Sequence, residues 1–448
     1  MIFNRRSFIG CASLAAAGHL AGLRPFGAMN ALAAETTPDY KALVCIFLYG
    51  GNDANNTVVP FDTAGYANYQ RLRGPLALSR SSLLQLSTTP TFALHPNMPE
   101  IQALYDKRAA TIVANVGTLV QPLSRSQYQA GQLETPSNLF SHPDQQLEWQ
   151  NASQSGAVTT GWAGRIADQW GTTYGSNPRI PLITSVDGDT LFCNGAASSP
   201  VALSPGEVAG GGHCSEGSSC PGRIATEQAI VRVASGISMV QADKGITANA
   251  YKYMTNVADA LQSVTPVSVP FPNTALGLQL RQIAQIIQVR QALGVNRQIF
   301  FAGLGNFDTH AAQLGTQATL LTQLSQAMGA FDNAIIELGV GAQVTTFTMS
   351  DFSRAFQPNS NYGSDHAWGG HHIVMGGAVQ GGKIYGTFPT LALNGPDDSG
   401  VNGRWVPSTA SVQYASTLAS WFGVSAGDLP AIFPTIGNFS RANLGFLG

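Results

Sequence analysis

The chain has 448 residues, only 11% of them charged, and a formal net charge of −2. That balance leaves no basic face for nucleic acid and no acidic tail. A chain of this length has room for two or three domains, but α/β folds often run long as one, and a single large domain over residues 40–448 is expected.

Asn4-Arg5-Arg6-Ser7-Phe8-Ile9 places paired arginines ahead of an apolar run, residues 9–23, that is too short for a membrane span and is broken by His19. Ala31-Leu32-Ala33 then offers small residues for cleavage. Residues 1–33 resemble a twin-arginine export signal, with Cys11 too close to the arginines to be a lipidation site. This reading makes the twin-arginine machinery a partner and the processed chain a soluble periplasmic or secreted protein. Such carriers move folded proteins, commonly ones already loaded with a metal or cofactor.

After Lys41 the run ALVCIFLY is an apolar strand that stops at Gly50-Gly51 and then presents Asp53, Asn55 and Asn56. Residues 111–116 are a second strand, followed by a polar loop that carries Ser124 and Arg125. His95 and His142 each precede a proline and read as structural, although His142, Asp144 and the Gln145-Gln146 pair are also placed to line a pocket. Residues 161–170 look like a short helix. Glycine and serine dominate residues 181–222, a surface excursion with clustered turn signals. Cys214 and Cys220 bracket its loop and are expected to pair in an oxidising compartment, since a metal site with the surface residue His213 has too few ligands. Cys45 reads as inert core and Cys193 is unassigned.

Residues 223–264 are moderately helical, and Leu276, Leu280, Ile283 and Ile287 share a helical face. RQIFFAG, residues 297–303, is strand-like and leads to Asp308 and His310. Leu321, Leu324, Met328, Phe331, Ile335 and Leu338 mark a periodic helix. The uncharged run 344–349 then ends on Asp351, and residues 405–422 form a closing helical region. Alternating strands and helices, with three strands each leading to an aspartate, predict a three-layer αβα sandwich with a mostly parallel central sheet.

Polar groups where such strands stop lie at the carboxyl edge of the sheet, the usual place for ligands. Asp53, Asp308, His310, Asp351, His366, His371 and His372 are therefore candidate metal ligands. Singly, Asp53 is also a plausible turn residue, Asp308 a helix cap and His372 a core histidine. Mixed carboxylate and imidazole donors suit zinc, manganese or iron, and the set is large enough for two ions, which about 4 Å apart clamp both oxygens of a phosphoryl or sulfuryl transfer. Ser124 near a helix start, with Arg125 to hold anionic oxygens, is the candidate catalytic pair. Ser126 and Thr118 are alternatives, and a capping serine before a surface arginine fits the same residues. No dinucleotide glycine motif follows any strand.

GGNDANNTVVP, LSRSQYQAGQ, FDTHAAQ, SDFSRAFQPN and DHAWGGHHIVMGGAVQGGKIYG resemble the bacterial DUF1501 family across nearly all of the chain after the signal. That resemblance implies an alkaline-phosphatase-like, sulfatase-like fold. By position, Asp53 resembles the first metal ligand of that superfamily, Asp308 and His310 its Asp and His pair, Asp351 the aspartate of its Asp-His dipeptide, and His371 or His372 its final histidine. The spacing from Asp308 to His310 is shorter than the usual one, and Phe352 replaces the dipeptide histidine, which Asp365-His366 is placed to supply. The expected protein is an exported metal-dependent hydrolase of phosphate or sulfate esters, acting on a small anionic ester or glycan, with Arg125 or Arg354 steadying the anion. Arg354 is equally suited to pair with a sheet-edge carboxylate. The alternative is a non-catalytic envelope protein that keeps the fold to bind a glycan or partner.

Overall fold

The computed structural model describes residues 40–153, 159–170, 179–205 and 238–448, together with 226 and 229. The elements below belong to the unit Lys41–Gly448. Twelve strands are named in chain order: β1 (Lys41–Leu48), β2 (Val58–Pro60), β3 (Leu84–Gln85), β4 (Phe92–Leu94), β5 (Ala110–Gly117), β6 (Ile183–Ser185), β7 (Val201–Ala202), β8 (Arg297–Leu304), β9 (Val344–Ser350), β10 (Gly370–Met375), β11 (Ile384–Tyr385) and β12 (Thr409–Ala410). The main sheet runs β11-β5-β10-β9-β1-β8-β6-β7, with β12 also on β5. β1 lies parallel between β8 and β9, in the register Cys45 to Phe301 and Cys45 to Phe347.

The four apolar runs expected as strands are buried almost throughout, which follows from helices covering both faces. On one face Leu43, Cys45 and Phe47 meet Trp162 and Ile166 of the helix Trp162–Trp170 and Leu418 and Phe422 of Ser411–Phe422. On the other, Ala275–Gln288 packs on β8 and on the long helix Gln313–Glu337, which in turn packs on Pro99–Asp106. Leu280, Ile283, Leu321, Leu324 and Phe331, the periodic apolar residues, are buried in these contacts. The mostly parallel three-layer architecture is thus the expected one.

Three features were not in the expectation. β10 pairs antiparallel with both β5 and β9. An antiparallel return needs no helical crossover, so the connection 351–369 stays at the carboxyl edge and β10 runs straight back from it. A small sheet, β2-β4-β3, stands apart from the main one. The segment expected as a surface excursion supplies the last two strands of the main sheet, β6 and the edge strand β7, too short to show a pattern among its turn residues. Cys45 and Cys193 are buried free thiols, pushed well above the usual range by that burial. Cys214, Cys220 and His213 lie outside the described residues, as does the proposed signal. Among the described residues no helix is long and apolar enough to cross a membrane.

Candidate metal centre

Beyond the strand ends, β1 and β8 continue to pair. Tyr49 N donates to Leu304 O at 2.9 Å, and Phe307 N donates to Tyr49 O at 3.0 Å, which seats Asp308 against Gly50. Gly50 has φ +106°, and a Cβ there would stand 2.4 Å from the Asp308 amide nitrogen, so only glycine fits. The connection after β9 folds back on itself, with Ala367 N donating to Ser353 O at 2.8 Å and Ala355 N to Asp365 O at 2.7 Å. This hairpin sets Arg354 opposite His366. A third element, the helix His142–Asn151, arrives with His142 and Gln146 on one face, four residues apart.

These elements meet at one carboxylate oxygen. Asp308 Oδ1 stands 3.3 Å from His142 Nε2, 3.0 Å from His310 Nε2, 3.3 Å from His366 Nε2 and 2.7 Å from Arg354 Nη1. His310 Nε2 and His366 Nε2 are 2.9 Å apart. The other nitrogen of each ring faces an oxygen: His142 Nδ1 lies 2.7 Å from Asp351 Oδ2, His366 Nδ1 2.7 Å from Phe140 O, and His310 Nδ1 3.4 Å from Asp365 Oδ1. Carbonyl and carboxylate oxygens accept, so Nδ1 of His142 and of His366 is the donor and each of these rings, when neutral, turns an Nε2 lone pair inward. His142 Nε2 is buried with no hydrogen-bond partner.

Asp351 is fully buried and orients the site. Its Oδ1 accepts from Gly50 N at 3.2 Å, and its Oδ2 accepts from Gln146 Nε2 at 2.9 Å as well as from His142. That contact raises the His142 imidazole above its ordinary value against the opposing effect of burial. Burial pushes the Asp308 carboxyl up, but the Arg354 guanidinium, hydrogen-bonded to it, outweighs that and holds it low. Burial, reinforced by the charges of Arg354 and His142, lowers His366. Phe352 walls the cluster, its ring centroid 4.7 Å from each of the His142 and His366 rings. Asp308 is 46% exposed and Asp351 is not exposed, so the cluster opens at one end.

Of the sequence candidates, Asp308, His310, His366 and Asp351 are brought together, and Asp53, His371 and His372 are not. Asp53 caps the short helix Ala54–Thr57 through Asn55 N and is fully buried against Arg73 and Gln313. His371 and His372 fall inside β10, where alternation sends them to opposite faces. His371 Nδ1 accepts from Asn115 N at 3.0 Å and its ring stacks on Phe388 at 4.6 Å, whereas His372 lies 4.7 Å from the Trp149 ring. His95 is buried too, its Nδ1 accepting from Asn97 N.

Ser124 caps the helix Arg125–Gln129 in a reciprocal capping box with Gln127, and Arg125 donates to Asp398 O and Asn394 Oδ1. Thr118 donates to Gln145 Oε1 at 2.6 Å, and Ser126 sits 3.1 Å from Ser124 Oγ. Arg354 takes the second of its two expected roles, pairing with Asp308. His142 is the residue that sequence reasoning underweighted. Its signal was a helix start, Ser141 before His142-Pro143, with glutamine four residues on.

Burial pushes both β10 histidines down to about 3, and the His371 charge adds to the effect on His372. Both are neutral in the fold, whereas in the unfolded chain each takes up a proton near pH 6.5. Their contribution is complete above that pH and drains as pH falls toward 3, by at most about 1.4 kcal/mol per pH unit and ring. His372→Phe, which keeps the ring contacts, is expected to flatten the decline in unfolding free energy between about pH 6.5 and pH 4. Urea titrations at a series of pH values will show an unchanged slope if the ring is not buried neutral.

A family model described as "Protein of unknown function (DUF1501)" matches residues 40–404. The chain belongs to this family. No curated protein matches it. The crystal structure of Ps i-CgsB is similar at 11% identity over 88% of this chain and 77% of its own, with a TM-score of 0.37. The lipoteichoic acid synthase LtaP from Listeria monocytogenes matches at 8% identity over 88% and 76%, also with a TM-score of 0.37. PsFucS1 sulfatase from Pseudoalteromonas sp. matches at 9% over 82% and 70%, with a TM-score of 0.31. Superpositions this loose say nothing about the chemistry of this DUF1501 chain, which rests on its own residues.

Proposed function

We propose that this protein is an exported metal-dependent hydrolase of phosphate or sulfate esters, with one divalent ion held by His142, Asp308, His310 and His366. The observation that carries the reading is the convergence of three imidazole Nε2 atoms on Asp308 Oδ1, with every Nδ1 already engaged. Donor atoms about 2.1 Å from one ion stand roughly 3.0–3.4 Å from each other, which is close to the spacing found. The Asp351–His142 and Asp365–His310 contacts are the outer partners that orient metal-bound histidines. Zinc, manganese and iron all suit such donors.

The count of one, rather than two, follows from where the other carboxylates are spent: Asp53 on Arg73, and Asp351 on Gly50, Gln146 and His142. A bound ion would supply Lewis acidity to an ester oxygen. Arg354 holds Asp308 in place, Phe352 keeps water off one side, and the open end at Asp308 and His310 admits a small anionic ester or glycan. With the Ser124 hydroxyl committed to its cap, we assign the attack to water. The paired arginines and cleavage residues of positions 1–33 support export by the twin-arginine route to the periplasm or beyond.

The same capped serine favours a second reading, a non-catalytic envelope protein that keeps one ion to bind a glycan or partner. Purified protein assayed on nitrophenyl phosphate and nitrophenyl sulfate separates the two. The hydrolase should lose roughly a hundredfold of its turnover on chelation and regain it with one equivalent of ion. An ion-loaded protein inert on both esters leaves the binding reading, and a protein that never holds an ion overturns both.

A further inference from the structure

A second polar feature lies at the same edge of the sheet, next to Asp351. Tyr49 follows the last residue of β1 and precedes Gly50, whose N–H binds Asp351. Asp187 follows β6, and its Oδ1 accepts from Gln279 Nε2 at 3.0 Å, while Gln279 Oε1 accepts from Gly303 N at 2.9 Å. Gly303 lies beneath both: a Cβ there would stand 2.1 Å from Asp187 Oδ2 and 2.9 Å from Tyr49 Cε2. The missing side chain lets carboxylate and phenol ring crowd one spot. Among the described residues no hydrogen bond reaches the Tyr49 hydroxyl or Asp187 Oδ2, and neither residue is fully buried. The Tyr49 ring rests on Phe47 at 4.5 Å, which fixes its direction.

The helix that brings His142 to the cluster also reaches this feature. Gln150 Oε1 accepts from Thr190 Oγ1 at 2.6 Å and from Phe192 N at 3.0 Å, tying the loop after Asp187 to that helix. Tyr49 lies close enough to both carboxylates that their charges add to burial in raising its phenol far above the ordinary range, Asp187 more than Asp351. Burial likewise raises Asp187.

We infer that Tyr49 and Asp187 form a hydroxyl-binding subsite beside the metal centre, recognising the sugar-like, polyhydroxylated alcohol half of the ester. The inference names the substrate class of the proposed hydrolase and rests on that reading for its catalytic meaning, but not for binding. A carboxylate repels a phosphate or sulfate group, so this side of the site takes the neutral half of the substrate. A sugar hydroxyl donates to Asp187 Oδ2 while a neighbouring one accepts from the Tyr49 hydroxyl, and the phenol face covers the ring carbons. A monoatomic ligand would leave the phenol unused.

Ligand-observed NMR with methyl glucoside and methyl galactoside, on protein with and without added ion, tests this directly. Saturable binding of at least one sugar is expected, weakened about fivefold or more in each of Tyr49→Phe and Asp187→Asn, as loss of one hydrogen bond implies. Circular dichroism spectra that match the wild type are the check that both variants keep the fold. No saturable sugar binding, or binding equal to wild type in both variants, overturns the subsite. Sugar binding by a protein that holds no ion and hydrolyses no ester leaves the subsite standing while the hydrolase reading fails.

Discussion

Alanine at His366 is expected to strip the protein of its ion. Native protein purified after export should carry one divalent ion per chain by elemental mass spectrometry, and His366→Ala and Asp308→Asn should carry almost none. Losing an orienting partner alone typically costs about 10–100-fold in affinity, and losing a ligand exceeds that. Asp351→Asn belongs to the milder class, since Asp351 touches the centre only through His142. It should load at saturating metal and release the ion faster under a chelator. His371→Ala is the control, because that ring lies inside β10 against Asn115 and Phe388 and should leave the ion in place at a cost in stability. A His366→Ala protein that still holds its full complement, or a folded His371→Ala protein that has lost it, would move the centre elsewhere.

Arg73→Met is expected to be the most destabilising single change outside the centre. Arg73 and Asp53 are paired at 0% and 1% exposure. The guanidinium also donates to Asn56 Oδ1 at 3.2 Å, Ala355 O at 2.8 Å and Phe356 O at 2.6 Å. Removing it leaves a buried carboxylate without its counter-charge and two buried carbonyls without their donor, and breaking such a pair from one side costs about 3–5 kcal/mol. The carbonyl contacts fasten the connection after β9 to the helix Thr63–Arg73, so the loss should be felt near Arg354 as well. Urea unfolding of Arg73→Met, Asp53→Asn and the double variant forms a cycle, in which the double should be clearly less damaged than the sum of the singles. A loss below about 1 kcal/mol in Arg73→Met would mean that the pair is not a strut.

Strands and their ends were legible because apolar runs that stop at glycine or aspartate are dictated by burial on both faces. Asp308 and His310 were legible for the same reason, since they follow such a stop within a few residues, whereas His366 stood out by its ligand-rich company. Asp53 stands at an equivalent stop, but Arg73 claims it from a helix twenty residues on, and a tertiary pairing of that kind leaves no local mark. The two histidines of β10 look like ligands in the sequence because of their company. The direction of the strand, set by the absence of a crossover after β9, puts them in the core. His142 was hidden for the converse reason, since its helix reaches the cluster by packing.

The position of β1 bears on how the molecule assembles. Among the described residues it is the first strand, yet it lies at the middle of the main sheet, and its two partners begin at Arg297 and Val344. A nascent chain therefore exposes an eight-residue apolar strand with both edges bare until β8 and β9 have been made. Pairings so distant in sequence make for slow folding and a long interval of aggregation risk. β1 therefore stays unpaired on both edges until residue 297, and on one edge until residue 344, has been synthesised.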